Sequence, residues 1–380
     1  MNAAPRGNCA SKRSPERRRT LGKGRTLMAG STSKRRIDVF ALGGTISATS
    51  NELENPVKPT LSGKRLLADL PFHVNADLVV HEHSPVPSNW LTIEDAVELA
   101  REIEHVAHEG STGIVVVQGT DSLEEMGFIL EIACRSHIPI ALTGAMRSPS
   151  AASPDGAANI HAALTYVLNT EAPATVVVMN DEVHPARHVV KAHTTRPDAF
   201  TSAPFGPEGI VAEDQFLPYR TPLVRPNCFD ELKLSGDIAS VLMITATLGE
   251  RLEWLPKVAE EYSGLVIQGM GSGHVGQRAA RVVAGLAEEM PVVVCSRAAR
   301  GPILRNTYGY VGSEIYFREA GAHLSRLLDG LRSRLLLSLV CGQNSNRSAA
   351  IELYRHIEDS LIIGQCHDST LHIGDRDANF

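Results

Sequence analysis

The tightest constraint on this chain is Gly113-Ile114-Val115-Val116-Val117, a short run without a polar side chain. A strand with one wet face alternates apolar and polar residues. A continuously apolar strand is covered on both faces, as parallel strands between helices are. The flanking sequence supplies such helices. Ile93, Val97, Leu99, Ala100 and Ile103 recur at helical spacing within Thr92–His108. Thr92 as N-cap with Asp95 three residues on is near the capping-box pattern. A second helix is predicted from Ser122 to about Ser136. The cycle repeats with a strand over Ile138–Thr143, a helix through Asn159 to Leu168 and a strand over Ala174–Asn180. An earlier strand, Arg36–Leu42, is stopped by Gly43-Gly44, and Leu61–Leu70 reads as a short helix. Alternating strands and helices predict an α/β fold on a parallel sheet.

Pro218, Pro222 and Pro226 break this rhythm, and 213–234 reads as a linker. A second α/β block follows, with strands over Ser240–Thr245, Gly264–Gln268 and Pro291–Cys295. Its helix Asp329–Val340 is apolar on one side. After Asn344 the pattern becomes less regular, and the last fifteen residues read as a loose tail. The expected organisation is a basic extension over 1–36, a flavodoxin-like parallel-sheet catalytic domain over 37–212, the linker, a smaller α/β domain over 235–360 and a tail over 361–380.

Charge is unevenly spread. Residues 1–36 hold eleven Lys or Arg and one acid, Glu16, a formal +10 in a chain of net charge −6, so the body carries −16. An acidic body argues against a nucleic-acid groove and suits a small zwitterionic or cationic ligand. The segment 1–36 lacks the apolar stretch of a secretory signal. It reads as a disordered tail or misassigned start upstream of Met28, a transit peptide, or a basic arm for anionic surfaces. No apolar run is long enough for a spanning helix. Cys9, Cys134, Cys228, Cys295, Cys341 and Cys366 form no CxxC pair and read as cytosolic thiols.

In open parallel sheets, ligands bind beyond the carboxyl ends of the strands. Thr45 stands there after the first strand, and Thr120-Asp121 after the Ile114–Val117 strand. Each hydroxyl has a second reading, as a turn or helix cap. A hydroxyl nucleophile needs a base or relay. Lys191, beyond the strand 174–180, can pass a proton if burial lowers its pKa and the fold holds it beside Thr120 and Asp121; in isolation it reads as a surface lysine.

Phe40-Ala41-Leu42-Gly43-Gly44-Thr45-Ile46 resembles the first signature of the bacterial-type L-asparaginases. Gln118-Gly119-Thr120-Asp121-Ser122-Leu123-Glu124-Glu125 resembles the second. Thr143–Arg147, Asp155-Gly156, Asn159, Met179–Asp181, the Lys191 segment and Thr307–Glu314 also follow that family. The resemblance covers about residues 37–345. It implies that Thr45 is the nucleophile and that Thr120, Asp121 and Lys191 form a second catalytic group. Asp121 would hold a substrate α-ammonium and Ser88 an α-carboxylate, with Asn89 where a glutamine often stands. Backbone amides near Thr120 and Ala145 would serve as oxyanion donors. The implied activity is hydrolysis of free L-asparagine in the cytoplasm by a homodimer or homotetramer, without metal or organic cofactor. The alternatives are glutamine or D-asparagine hydrolysis, an amidase subunit of a tRNA-dependent amidotransferase, and a non-catalytic amino-acid sensor.

The sequence also departs from the family. No tyrosine stands between Thr45 and Ser88, where well-studied members carry one that assists the nucleophile and shorter ones lack it; Lys58 and Thr60 are the candidates in its place. Gln118 replaces a histidine and Ser122 a threonine. Glu314 is a poorly aligned candidate for a glutamate given by a neighbouring subunit. Gly271-Ser272-Gly273-His274-Val275-Gly276 fits a dinucleotide fingerprint but is weak alone. The pairs His105/His108 and His184/His188 have zinc-ligand spacing and are read as solvated faces; His81-Glu82-His83 lacks the HExxH pattern.

Overall fold

Strand runs and amphipathic helices alternate through the computed structural model. It describes residues 34–44, 46, 48–49, 58–59, 63–68, 70, 72–233, 238–344 and 346–363. The first sheet contains β1 (Arg36–Ala41), β2 (Asp77–Glu82), β3 (Gly113–Val117), β4 (Ile140–Thr143), β5 (Thr175–Met179), β6 (Glu182–Pro185), β7 (Gly209–Ala212) and β8 (Gln215–Pro218). Their order is β8-β7-β6-β5-β4-β3-β1-β2. The first five strands are parallel in the order 2-1-3-4-5, that of flavodoxin-like folds, with a crevice where the order reverses at β1 and β3.

The remaining three strands extend this parallel sheet. β6, β7 and β8 are added antiparallel, giving a mixed eight-stranded sheet. β6 escapes a pattern reading because Glu182, His184 and Pro185 interrupt its apolar character. Residues 215–218, expected in the linker, are instead the edge strand, where proline is tolerated. A second sheet is parallel: β9 (Val241–Thr245), β10 (Gly264–Gly269), β11 (Val292–Ser296) and β12 (His323–Leu324), in that order. The protein is thus a two-domain α/β protein.

Helices α1 (Ile93–His108), α2 (Leu123–Ala133) and α3 (Gly156–Asn169) belong to the first domain; α4 (Gln277–Glu289), α5 (Gly330–Gln343) and α6 (Arg347–Ile363) follow. Thr92 and Asp95 complete the reciprocal capping box on α1: the Thr92 hydroxyl accepts the Asp95 amide at 3.1 Å, and Asp95 accepts the Thr92 amide at 2.8 Å.

Side chains alternate through the sheet. Ile37, Val39, Val115 and Val117 join α3 in one core, while Phe40, Ile114 and Val116 join α1 and α2 in another. That second core continues into the second domain through Val241, Val266, Val293 and Leu335–Leu337. Each such aliphatic side chain, fully buried, contributes about 1.5–3 kcal/mol. Helix α5 is therefore not apolar on one side only: Leu335, Leu336, Leu337, Leu339 and Val340 are all buried, the pattern of a helix covered all round. The expected irregular stretch after Asn344 is helix α6. Ala350, Tyr354, Ile357 and Leu361 form its buried stripe; residues 364–380 lie outside the described residues.

Ionisable side chains also lie inside the fold. Arg187 and Glu131 have side chains 1% exposed and form an ion pair. Arg187 also donates to the carbonyls of Val224 at 2.9 Å and Leu361 at 3.4 Å. His184 is buried against the Ser202 hydroxyl at 2.9 Å rather than solvated, and burial pulls its pKa down to about 4. His188 stacks on Phe205, and burial beside Arg187 pulls its pKa down to about 3.

Burial pushes the Glu208 carboxyl up to about 7, although its Oε1 accepts the Leu223 amide at 2.8 Å. Between the ordinary carboxylate range and pH 7 the folded chain holds a proton that the unfolded chain has released. Stability therefore falls as pH rises through that window. Glu208→Gln keeps the acceptor and removes the ionisation. Its melting temperature should match the parent's near pH 4.5, exceed it increasingly towards pH 7 and keep a constant gap above that; thermal melts across this range check the slope.

Candidate active site

The site is built where β1 and β3 end. Gly43 and Gly44 turn the chain off β1 with φ of +99° and +90°, a region that favours glycine. A Cβ on Gly44 would lie 2.2 Å from the Gly119 amide nitrogen, and one on Gly43 would lie 2.9 Å from the Pro85 Cα. Two further glycines close the arrangement. A Cβ on Gly119 would meet Ser88 Oγ at 2.7 Å, and one on Gly144 would meet the Gln118 carbonyl at 2.6 Å and Thr120 Cγ2 at 3.0 Å. Four loops thus converge with backbone against backbone.

Thr120-Asp121-Ser122 forms a single 3-10 turn that leads into α2. Thr120 is 6% exposed, and its Oγ1 accepts from Lys191 Nζ at 2.9 Å. The same ammonium lies 2.6 Å from Asp121 Oδ1. Lys191 is mostly covered, with 14% of its side chain exposed, while Asp121 is open at 68%. The arrangement therefore has a sheltered cation at its base and a carboxylate towards solvent. The buried Ser88 hydroxyl accepts the Asp121 amide at 3.2 Å, and the Ser88 carbonyl accepts from Ser122 Oγ at 2.8 Å. Ser122 thus ties the Ser88 turn to the start of α2.

The loop after β4 is held by two side chains of α3 and its cap. Asp155 accepts the amides of Met146 at 3.1 Å and Arg147 at 2.9 Å. Asn159 donates to the Gly144 carbonyl at 3.0 Å and accepts the Asn180 amide at 2.9 Å. These contacts fix Ala145, which is 1% exposed.

Of the residues singled out from sequence, the structure brings Ser88, Thr120, Asp121 and Lys191 together. Asn89 lies exposed in the 3-10 turn Ser88–Trp90. Thr45 and Thr60 lie outside the described residues; the neighbours of Thr45, Gly44 and Ile46, are buried. Lys58 belongs to a two-residue strand paired with Ala48–Thr49. Glu314 does not reach outwards. It is 1% exposed, accepts the amides of Thr307 and Tyr308 at 2.8 and 2.6 Å, and pairs with His274 at 3.1 Å.

The glycines at 271–276 serve a tight turn: Met270 and His274 exchange backbone hydrogen bonds, and a Cβ on Gly269 would strike Gly273. Among the described residues no group of three His, Cys, Asp or Glu is arranged to hold a metal ion.

Two residues at the site carried no role in the sequence reading. Glu124 accepts the Lys191 amide at 2.9 Å, and Arg332 of α5 donates to the Val189 carbonyl. The signal for Glu124 was its place one turn after Thr120; Arg332 is distant in sequence and carried none.

Comparison with known proteins gives this geometry a lineage. The N-terminal asparaginase domain matches residues 36–223, and the glutaminase/asparaginase C-terminal domain matches residues 240–353. A probable L-asparaginase of Deinococcus radiodurans is 32% identical over 318 residues, covering 82% of this chain and 94% of the relative. This chain belongs to the asparaginase family. An L-asparaginase of Bacillus licheniformis is 29% identical over 313 residues, 80% of this chain and 95% of the relative. A glutamyl-tRNA(Gln) amidotransferase subunit of Methanobrevibacter smithii is 26% identical, covering 86% of this chain and 76% of the relative. The thermostable L-asparaginase of Thermococcus kodakarensis superposes with a TM-score of 0.74 at 26% identity, covering 88% of this chain and all of that one. The protein is an asparaginase-family amidohydrolase acting on an amide substrate.

Gly119 has ordinary extended backbone, with φ of −70°. Gly119→Ala therefore leaves the backbone unstrained and pushes chiefly on Ser88, whose Oγ and Cβ would lie at 2.7 and 2.9 Å, with Gly44 Cα next at 3.2 Å. Its fold should persist by circular dichroism, with a stability loss of about 1–3 kcal/mol for overpacking. Amidase kcat/KM should fall by about a hundredfold, since an angstrom of displacement costs that much. An unchanged kcat/KM would show that Ser88 tolerates displacement.

Proposed function

We propose that this chain is an L-asparaginase, hydrolysing the side-chain amide of free L-asparagine to L-aspartate and ammonia. The observation that carries the reading is Lys191 Nζ at 2.9 Å from Thr120 Oγ1 and 2.6 Å from Asp121 Oδ1, just beyond the carboxyl end of β3. Thr45, next in the chain after Gly44, is the nucleophile in this scheme. Its oxygen adds to the amide carbon, its proton leaves with the amide nitrogen as ammonia, and water then cleaves the threonyl ester. Thr120 and Lys191 relay the proton. Asp121 takes the substrate α-ammonium, Ser88 with Asn89 the α-carboxylate, and amides near Thr120 and Ala145 the oxyanion. The −16 body is compatible with a zwitterionic substrate.

The enzyme works in this reading as a cytoplasmic homodimer or homotetramer with sites near subunit contacts. No described helix is long and apolar enough to cross a membrane. The second reading is amide chemistry within a tRNA-dependent amidotransferase. It is favoured by the amidotransferase relative and by the formal +10 of residues 1–36, a charge suited to a polyanion.

Ammonia release from L-Asn, L-Gln and D-Asn, by the parent and by Thr45→Ala, separates these readings. L-Asn should be the best substrate, and Thr45→Ala should lower kcat by about a thousandfold or more, as loss of a nucleophile does. Preference for L-Gln, or release from none of the three, favours the second reading. Full activity in Thr45→Ala removes Thr45 as nucleophile. Deleting residues 1–36 should leave kcat/KM for free L-Asn unchanged; a loss measured in the same assay would give that segment a part in the reaction.

A further inference from the structure

Lys191 stands on a two-residue strand, Val190–Lys191, paired with Phe200–Thr201. Successive residues of a strand present their backbone groups to opposite edges. On the paired side the Ala192 amide donates to Ala199 at 2.7 Å. Val189 and Lys191 face the other edge, and no third strand joins this small sheet among the described residues.

Two side chains stand where a strand would. Glu124 Oε2 accepts the Lys191 amide at 2.9 Å, and the Arg332 guanidinium donates to the Val189 carbonyl. Both anchors are themselves fixed. Glu124 lies at the start of α2. Arg332 is 4% exposed, binds Asp329 Oδ2 at 2.5 Å and lies 5.9 Å over the ring of Phe128, one turn further along α2.

We propose that Glu124 and Arg332 are positioning residues for Lys191: they replace a missing strand and make the docking of α5 a condition of the lysine's alignment with Thr120 and Asp121. The inference rests on the amidohydrolase reading of that group. A two-stranded ribbon this short is marginal by itself, and its lysine ends on a flexible four-carbon stem. Fixing the backbone beside both strand residues removes its share of the displacement.

The test compares Glu124→Ala and Glu124→Gln, each alone and in a Lys191→Met background. It measures steady-state kinetics and the acylation rate of Lys191 by an amine-reactive reagent, read by mass spectrometry. Glu124→Ala should lower kcat by about tenfold or more, with KM changed by less than about threefold. Glu124→Gln keeps an acceptor oxygen and should recover most of kcat. In the Lys191→Met background Glu124→Ala should add no further loss, because its effect passes through the lysine. Lys191 should acylate faster in Glu124→Ala than in the parent. An undiminished loss in the Lys191→Met background overturns the proposal, as does a parent-like kcat and acylation rate. If Glu124→Ala does not fold, Arg332→Met must show the same pattern. If the parent releases ammonia from no amide, the amidohydrolase reading fails, and the acylation rates alone decide the positioning claim.

Discussion

A Cβ on Gly44 would lie 2.2 Å from Gly119, so the loops leaving β1 and β3 meet with no side chain between them. That approach fixes where everything polar at the site can stand. Ser88 rests on Gly119 from a third loop, and Gly144 closes on Gln118 and Thr120 from a fourth. The strand order makes the meeting possible. Only where a 2-1-3-4-5 sheet reverses do the connections leave to opposite faces and open a crevice.

The second domain is part of the same construction. Helix α5 is buried all round because it lies between its own sheet and α2, so one hydrophobic core runs through both domains. The N-terminal turn of α5 delivers Arg332 to the Val189 carbonyl, and α2 delivers Glu124 to the Lys191 amide. Packing and chemistry are coupled at these two backbone groups. A helix shift on the scale of an angstrom would be felt at the lysine.

Much of this was legible in the sequence, for definable reasons. β3, β4 and β5 are short, largely apolar runs, which read as covered strands; α1 showed its stripe and a pattern near the capping box. Thr120 and Asp121 were readable because they follow a strand end, and with Lys191 they fit family motifs. β6 was not readable, since Glu182, His184 and Pro185 disguise a strand whose burial comes from neighbours beyond it. α6 was missed although Ala350, Tyr354, Ile357 and Leu361 keep helical spacing, because polar residues separate them. The hold on Lys191 was hidden for another reason. Hydrogen bonds to main chain leave no trace in residue type, and Arg332 lies 143 positions from its acceptor.

Arg187 has a consequence in time. It sits in the first domain, yet one of its carbonyl partners, Leu361, is 174 positions later, near the end of α6. At a synthesis rate of about 5–20 residues per second, the arginine and its glutamate wait roughly ten to thirty seconds for that cover. A buried ion pair without its remaining partners is costly. The surroundings of this ion pair in the first domain are therefore complete only once α6 has been made.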